Sequence, residues 1–413
     1  MGNCLDCCIP EDTTPKDRVV KEKDGELMRF FMTGLGSAGK TTIVRQLFLL
    51  CNSRSNYKVC NENWQEEITK PDDNELWVNT VRKNILDSMD IFIKQLRING
   101  AQFDDKHDES FAKTIEEICE MGDEGVEDLE VTSEFTHSLL KLFQSQAIQN
   151  VWKKRNVINV EGKKLFDGSE HFMRVEKIEE AFGDNYVASD QDKVHSRKPT
   201  VDMQTYRFKI NNTRIEINDV GGQRSRTGTV KIRLRSKLFK DMTLVKIVDY
   251  LRNWSFSASD TRSNFILLVV STSDFNVKHD EFEGTLLDEC VEYMKVLMNN
   301  PVAQNCGLFI FFNKKDRFKE KLQDPDCRED VKYLSAYLSP KQLAEFQQKG
   351  KFNEKEMQKA LSDKFTEAIN TLKARQRNTF CRFTCAVDSK MMEGLFSAIK
   401  DDQIQDKVLD ILG

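Results

Sequence analysis

Residues 34–42 read GLGSAGKTT, a match to the pattern G-x-x-x-x-G-K-[S/T]. The apolar run LMRFFM at 27–32 precedes this stretch and predicts a buried strand, and a helical apolar period begins after it at Ile43. In that context the glycines let backbone N–H groups point at a phosphate, and the helix N-terminus adds partial positive charge, which argues against a mere solvated turn. Lys40 is expected to reach the β- and γ-phosphates, and Thr41 to bind Mg²⁺. The predicted nucleotide-binding residues of this stretch are Gly36, Ser37, Ala38, Gly39, Lys40, Thr41 and Thr42.

Composition limits the class of protein. The 413 residues can hold two domains of ordinary size, and 39% hydrophobic with 31% charged residues is typical of a globular chain. A net charge of −5 argues against a general nucleic-acid binder, so no nucleic-acid partner is expected. No apolar run approaches the roughly 18 residues of a membrane span. The 11 cysteines are scattered and odd in number, which favours reduced thiols over a disulfide framework.

The N-terminal segment, residues 1–26, carries candidate lipidation sites. Gly2 matches the start of a myristoylation signal, but Asp6 stands where that signal usually has Ser or Thr, so myristoylation stays open. Cys4 is a candidate for palmitoylation, and a metal pair with Cys7 is the weaker alternative. Because one acyl chain anchors only marginally, stable membrane attachment needs two signals.

A helical block follows the first helix. The polar segment 51–73 predicts a linker, and from Asn74 apolar residues recur at three- and four-residue steps until about Gly100. We therefore assign residues 56–189 to an inserted helical domain. Further helices are predicted at 111–119, 134–152 and 169–182.

After residue 200 the spacing of apolar residues changes from a helical period to a period of two. A hairpin is predicted to end at Asp219, and three further strands are predicted at 265–271, 308–312 and 380–386. Helices are expected between and after these strands. Their predicted ranges are 281–298, 340–346, 355–374 and 391–412. Alternating strands and helices favour an α/β domain with a doubly wound, mostly parallel sheet, made of residues 27–55 and 190–413.

Two motifs carry phosphate chemistry, one at the end of the predicted hairpin and one between the helical block and that hairpin. In DVGGQ, residues 219–223, Asp219 is placed to hold Mg²⁺ through water, the Gly222 N–H to reach the γ-phosphate, and Gln223 to orient the attacking water. In DKVHSRKPT, residues 192–200, Arg197 can neutralise charge on the γ-phosphate and Thr200 can complete the magnesium shell, with Val194 beside the nucleotide.

A second pair of motifs selects the base. In NKKD, Asn313 to Asp316, the last carboxylate can accept from N1–H and the 2-amino group, which occur together only on guanine. Lys314 would lay its stem along the base, and the Ala386 N–H in TCA could donate to guanine O6. These motifs predict GTP rather than ATP.

Together these motifs, in this order and with a helical block between the first two, resemble the alpha subunit of a heterotrimeric G-protein. The resemblance implies a Ras-like P-loop GTPase domain with an inserted all-helical domain, and Mg²⁺ with GTP or GDP. It implies that Arg197 and Gln223 are catalytic, the arginine being supplied in cis. It also implies a beta-gamma dimer as partner in the GDP state, an effector at the switch regions, and a seven-helix receptor at the C-terminal helix. The expected location is the cytoplasmic face of the plasma membrane, through the acylated N-terminus.

Two departures from the family pattern concern the phosphate loop and the segment that follows Gln223. Ser37-Ala38 replaces the usual Glu-Ser pair, whose Glu ordinarily pairs with the catalytic arginine, and we expect faster spontaneous GDP release. Residues 224–252 contain nine Lys or Arg and two Asp, a net charge of +7. That insertion is either a contact surface for an acidic partner or anionic lipid, or a solvated loop.

Two other functions compete. A P-loop ATPase or kinase shares the phosphate stretch, but NKKD and TCA argue against it. A nucleotide-gated scaffold with little or no GTPase turnover would fit the altered phosphate loop, but the presence of both Gln223 and Arg197 favours hydrolysis.

Overall fold

A computed structural model describes residues 26–67, 74–103, 105–160, 164–198, 204–211, 213–219, 264–279, 282–349, 353–372 and 379–397. Several predicted features lie outside these residues. They are the lipidation sites Gly2 and Cys4, the switch residues Thr200, Gly222 and Gln223, the basic insertion 224–252, and the chain beyond residue 397.

A seven-stranded sheet forms the centre of the nucleotide-binding part. The described strands are β1 Leu27–Thr33, β2 Tyr57–Cys60, β3 Gln204–Ile210, β4 Thr213–Asp219, β5 Asn264–Ser271, β6 Lys278–His279, β7 Phe282–Thr285, β8 Gly307–Asn313 and β9 Thr379–Phe383. In the seven-stranded sheet they run in the order β2-β3-β4-β1-β5-β8-β9, and β6 and β7 form a separate two-stranded ribbon. The five strands β4-β1-β5-β8-β9 are parallel, whereas β2 and β3 pair antiparallel at one edge.

Both faces of the sheet are covered. Along β5, Ile266, Leu268 and Val270 belong to one core, whereas Phe265 and Val269 belong to the core on the opposite face. Such alternation of two buried faces is what a doubly wound sheet requires, since helices pack on each side. The predicted fold class, a doubly wound and mostly parallel sheet accompanied by a helical block, is confirmed.

Helices α1 Lys40–Ser53 and α10 Leu286–Met298 pack on opposite faces of the sheet. The other helices flanking the sheet are α9 Asp190–His195, α11 Pro301–Gln304, α12 Lys315–Gln323, α13 Pro340–Lys349, α14 Glu354–Asn370 and α15, residues 389–397. Short 3₁₀ segments lie at Thr272–Asn276 and Pro325–Leu334.

The helical block has a core of its own around α2 Asn74–Ile98, the longest helix described. One face of α2 buries Val81, Ile85, Met89 and Phe92 at helical spacing. The remaining elements of the block are α3 Lys106–Met121, α4 Asp123–Glu127, α5 Ser133–Gln144, α6 Gln146–Lys153, a 3₁₀ turn at Arg155–Val157, α7 Ser169–Phe172 and α8 Val175–Ala181. None of the helices in the described part of the chain is both long and apolar enough to cross a membrane.

The predicted linker 51–73 is wrong in part. Residues Tyr57–Cys60 form β2, which pairs with β3 from Tyr57↔Ile210 to Cys60↔Arg207. This strand is short and buries only its first and last residues, so its sequence has no period of two; its partner, distant in the chain, specifies it. Tyr57–Cys60 thus lies within the sheet, although the prediction assigned it to the helical domain. The division of the chain into domains otherwise stays a prediction.

Three predicted helices are shorter than expected. The range 281–298 begins with strand β7, and its helix starts only after Thr285, whose side chain and that of Asp288 form a capping box. The range 134–152 is split at Ser145, which caps the next helix, and 169–182 is split into two short helices. In the first two cases a polar cap interrupts an apolar period that continues through it, whereas Val175–Ala181 begins after Arg174 without a side-chain cap.

Candidate nucleotide-binding site

A cleft of about 1080 Å³ lies between the C-terminal ends of the parallel strands and the helical block. The sheet side supplies the loop after β1, the loop after β8 and the turn after β9, and the helical block supplies residues of α2 and the segment around Asp167. Most of the predicted site residues that the structure describes line it. They are Gly36, Ser37, Ala38, Gly39, Lys40, Thr41, Thr42, Val194, Arg197, Asn313, Lys314, Asp316 and Ala386. Open parallel sheets bind ligands at this edge.

The phosphate loop is built around two glycines. Gly34 and Gly39 have φ of +141° and +98°, and a Cβ on them would lie 2.2 Å from Val269 O and 2.3 Å from Asn313 Nδ2. Both positions therefore exclude a side chain on backbone and steric grounds. Lys40 begins α1, is buried, and its Nζ donates to Gly34 O at 2.8 Å and Leu35 O at 3.0 Å. The ammonium thus folds back over the loop that would surround a phosphate.

Burial lowers the pKa of Lys40 to about 8, against the attraction of Asp219. A negative charge beside a buried lysine stabilises its protonated form. A bound phosphate would raise this pKa again, so the loop electrostatically favours an anionic ligand.

Asp219 and Thr41 meet beneath the phosphate loop. Asp219 ends β4, is fully buried, and accepts from Thr41 Oγ1 through Oδ2 at 3.3 Å. Its second oxygen, Oδ1, is buried without a hydrogen-bond partner in the described part of the chain. Burial raises the pKa of Asp219, opposed by Lys40 and the Thr41 hydroxyl. An unsatisfied carboxylate oxygen next to a hydroxyl fits the oxygen ligands that Mg²⁺ prefers.

Asn313 joins the phosphate loop to the base-binding motifs. It ends β8, its Nδ2 donates to Ala38 O at 2.8 Å, and its Oδ1 accepts from Ala386 N at 3.0 Å and Thr384 Oγ1 at 3.2 Å. The Ala386 N–H, which the sequence predicts to donate to guanine O6, thus donates to Asn313 in the structure, and its contact with guanine stays a prediction. The amide oxygen of Asn313 competes for that N–H because β8 and β9 are neighbouring parallel strands.

Lys314 connects the base-binding loop to the helical block. It has a left-handed φ of 61°, and its Nζ donates to Ser37 O and forms an ion pair with Asp167. Lys164 Nζ contacts Asp167 at 3.2 Å as well. Burial acts to raise the pKa of Asp167, but Lys164 and Lys314 outweigh it and hold that pKa well below its usual value. Asp167 therefore stays ionised at neutral pH.

A second polar cluster spans the same two parts of the chain. Arg155 donates to Glu170 at 2.5 Å within the helical block and to Glu320 on α12 at 2.7 Å. Arg317, next to Asp316, contacts Glu170 at 2.5 Å and donates to Asn156 Oδ1 at 2.8 Å. The helix that presents Asp316 is thus tied to the helical block.

Arg197 lies at the end of the linker that returns from the helical block. Its side chain is exposed and lines the cleft. Sequence reasoning missed two residues that hold this linker, Arg45 on α1 and Asn84 on α2. Asn84 is a polar residue among the apolar ones of a helical face, which is a signal in the sequence. Nothing in the sequence points to Arg45 or to Asp167.

Comparisons with known proteins agree with this site. The family model described as G-protein alpha subunit matches residues 10–403. A guanine nucleotide-binding protein alpha-1 subunit of Caenorhabditis elegans is 22% identical over 392 residues, covering 94% of this chain and 91% of the relative. The human guanine nucleotide-binding protein subunit alpha-13 is 23% identical over 386 residues, covering 89% and 85%. The guanine nucleotide-binding protein G(o) subunit alpha of Lymnaea stagnalis is 22% identical over 396 residues, covering 95% and 91%. The chain belongs to the G-protein alpha subunit family.

Proposed function

We propose that this chain is a GTP-hydrolysing switch of a heterotrimeric G-protein, which couples a membrane receptor to effectors. One observation carries the proposal: a single cleft is lined by the phosphate loop, the NKKD motif and Arg197. Phosphate loops alone occur in many nucleotide-binding proteins, whereas a carboxylate at the base end selects guanine. GTPase activity is expected for the family to which the chain belongs.

The predicted site residues divide the work on the nucleotide. Backbone N–H groups of the phosphate loop and the Lys40 ammonium bind and orient the phosphates. Asp316 recognises guanine, and Asn313 braces the phosphate loop against the base-binding loop. Arg197 offsets the negative charge that moves in the transition state, and Gln223 orients the attacking water. These roles rest on position, so the chain accelerates hydrolysis mainly by preorganisation.

Thr41 and Asp219 are the described residues that would hold Mg²⁺, with Thr200 completing the shell from outside the described residues. Mg²⁺ supplies charge neutralisation between phosphate oxygens when it is bound. The contact of Thr41 Oγ1 with Asp219 Oδ2 at 3.3 Å and the unsatisfied Asp219 Oδ1 support this assignment.

The partners follow from the family. We propose a beta-gamma dimer in the GDP state, an effector in the GTP state and a seven-helix receptor at the C-terminal helix. Family members are generally peripheral to the membrane. Palmitoylation of Cys4, with myristoylation of Gly2 if Asp6 permits it, would attach this chain to the cytoplasmic face of the plasma membrane.

Hydrolysis by the purified full-length chain tests the function. The chain is loaded with GTP or ATP, and phosphate release is followed in a single turnover started with Mg²⁺. We expect GTP to be hydrolysed and ATP to be ignored. Nucleotide-dependent capture of partners without phosphate release would instead favour the scaffold, and equal hydrolysis of ATP would favour another P-loop NTPase.

Spontaneous GDP release tests the altered phosphate loop. Ser37 brings no carboxylate towards Arg197, so we predict a GDP dissociation rate above that of alpha subunits with the usual Glu. The rate is measured by displacing labelled GDP with excess unlabelled nucleotide. A rate equal to or below that of such subunits contradicts the prediction.

Asp167→Asn should speed GDP release further. The substitution removes the charge that holds Lys164 and Lys314, and losing one partner of this partly buried ion pair leaves the lysine charges uncompensated. We expect a rise of about tenfold, equivalent to ~1.4 kcal/mol. The exposed Asp184→Asn is the matched control and should leave the rate unchanged; an equal effect of both would exclude a role for this ion pair.

A further inference from the structure

The main chain of Arg197 is held on both sides by one amide side chain. Asn84 Oδ1 accepts from Arg197 N at 2.6 Å, and Asn84 Nδ2 donates to Arg197 O at 3.0 Å. The two bonds fix the peptide groups before and after the Cα of Arg197. They leave its side chain to extend into the cleft, which it lines.

The residues immediately before Arg197 are held from the sheet side. Arg45 Nη1 donates to Lys193 O at 2.9 Å and to Ser196 O at 2.5 Å. The guanidinium of Arg45 also lies 5.1 Å from the ring centroid of Trp77 in the helical block. The linker is therefore fixed by α1 up to Ser196, and by α2 at Arg197 itself.

The hydrogen bonds to the backbone of Arg197 account for the burial of Asn84. It is 3% exposed, sits in the middle of α2, and neighbours Val81 and Ile85 on the apolar face. Burying an amide is unfavourable unless its polar atoms are bonded, and asparagine is a poor helix former. Both side-chain polar atoms of Asn84 bond to the backbone of Arg197.

The guanidinium of Arg197, unlike its backbone, has no hydrogen bond to another of the described residues. Among the described residues it has no ion-pair partner within 4.0 Å, although Asp87 on α2 attracts it electrostatically, and its side chain is exposed. The phosphate loop offers it Ser37 and Ala38, neither of which is charged. In the described part of the chain, Arg197 is therefore positioned through its backbone.

We propose that Asn84 is a positioning residue for Arg197 in GTP hydrolysis. This inference rests on the proposed function. Asn84 belongs to the helical block, whereas the phosphates bind on the sheet side. The arginine that acts on the phosphates is thus held by a residue of the helical block at Arg197 itself, and by Arg45 of α1 just before it.

Single-turnover GTP hydrolysis by the full-length chain tests the inference. A catalytic arginine is worth about 10³-fold or more, and misplacing a catalytic group by about 1 Å can cost 10²-fold. We expect Asn84→Ala to slow hydrolysis by roughly 10- to 100-fold. Asn84→Asp keeps the acceptor for Arg197 N–H but turns a carboxylate oxygen towards Arg197 O, so it should slow hydrolysis as well. Ser88→Ala is the matched control, because among the described residues the buried Ser88 hydroxyl bonds to Asn84 O of its own helix and to no other group.

A double-mutant cycle separates positioning from a general loss of structure. In an Arg197→Ala background, Asn84→Ala should slow hydrolysis no further, because there is no guanidinium left to position. An equal further loss in that background would overturn the proposal, as would wild-type rates for both Asn84 variants. If the wild-type chain does not hydrolyse GTP, or Arg197→Ala hydrolyses it normally, the proposed function itself fails.

Discussion

Arg197→Cys is expected to slow single-turnover hydrolysis of GTP by about 10³-fold or more, the usual worth of an arginine that stabilises the transition state. Cysteine has no positive charge to offset the negative charge on the phosphate groups in the transition state. GTP binding should change little, because the arginine acts mainly on the transition state. The measurement is phosphate release from preloaded protein after Mg²⁺ is added, with GTP affinity measured in parallel.

The matched control for this prediction is Arg174→Cys. Arg174 also lines the cleft from the helical block, and its Nε donates to His171 O at 3.1 Å. The same chemical change at this second arginine should leave the hydrolysis rate near that of the wild type. If the two variants are equally slow, the loss reflects a changed cleft and not the transition state.

Gln223→Leu should likewise prevent turnover while preserving GTP binding. Gln223 lies outside the described residues, so this expectation rests on the sequence motif DVGGQ. Leucine fills a similar volume but cannot orient a water molecule. Wild-type hydrolysis by both Gln223→Leu and Arg197→Cys would exclude the catalytic assignment and leave the scaffold as the better account.

Asp316→Asn should weaken GTP binding by about 10²-fold. The aspartate is placed to accept two hydrogen bonds from guanine, and bonds to a charged group are worth roughly 1.5–3 kcal/mol each. Asparagine presents one oxygen and an N–H₂ group that opposes the donors of guanine. The measurement is the affinity for GTP by equilibrium titration, since the effect is on binding.

Inosine triphosphate identifies the contact. It lacks the 2-amino group of guanine but keeps N1–H, so the wild type should bind it more weakly than GTP. That preference should shrink in Asp316→Asn. Asp326→Asn, the same change at an exposed residue outside the cleft, is the control. An unchanged preference for GTP in Asp316→Asn would show that another group recognises the base.

The chemistry of the site could be predicted largely from short stretches of sequence. The phosphate loop, DVGGQ and NKKD each follow an apolar run in the sequence. In the structure Gly39 lies in the loop after β1, Asp219 ends β4 and Asn313 ends β8. The period of the apolar residues also predicted α2 almost to its boundaries, Asn74–Ile98. These features depend on residues that are close together in the chain.

Other features needed partners that are far apart in the chain. The strand Tyr57–Cys60 has no alternation of its own and is defined by its pairing with β3. The Ala386 N–H is used by Asn313, although the motif alone suggested that it was available to guanine. A sequence motif shows which hydrogen-bond donors and acceptors are present, but the tertiary structure decides which groups they pair with.

The sequence by itself determined the phosphate loop between its strand and helix, because that loop depends on local backbone geometry, and it predicted a guanine motif and, through the family resemblance, an arginine for hydrolysis. Only the tertiary structure decided how the two parts of the chain are joined across the cleft. The ion pair of Lys314 with Asp167 and the bonds of Asn84 to Arg197 link residues more than 100 positions apart. Such contacts depend on how helices pack against a sheet, and packing is set by the whole fold.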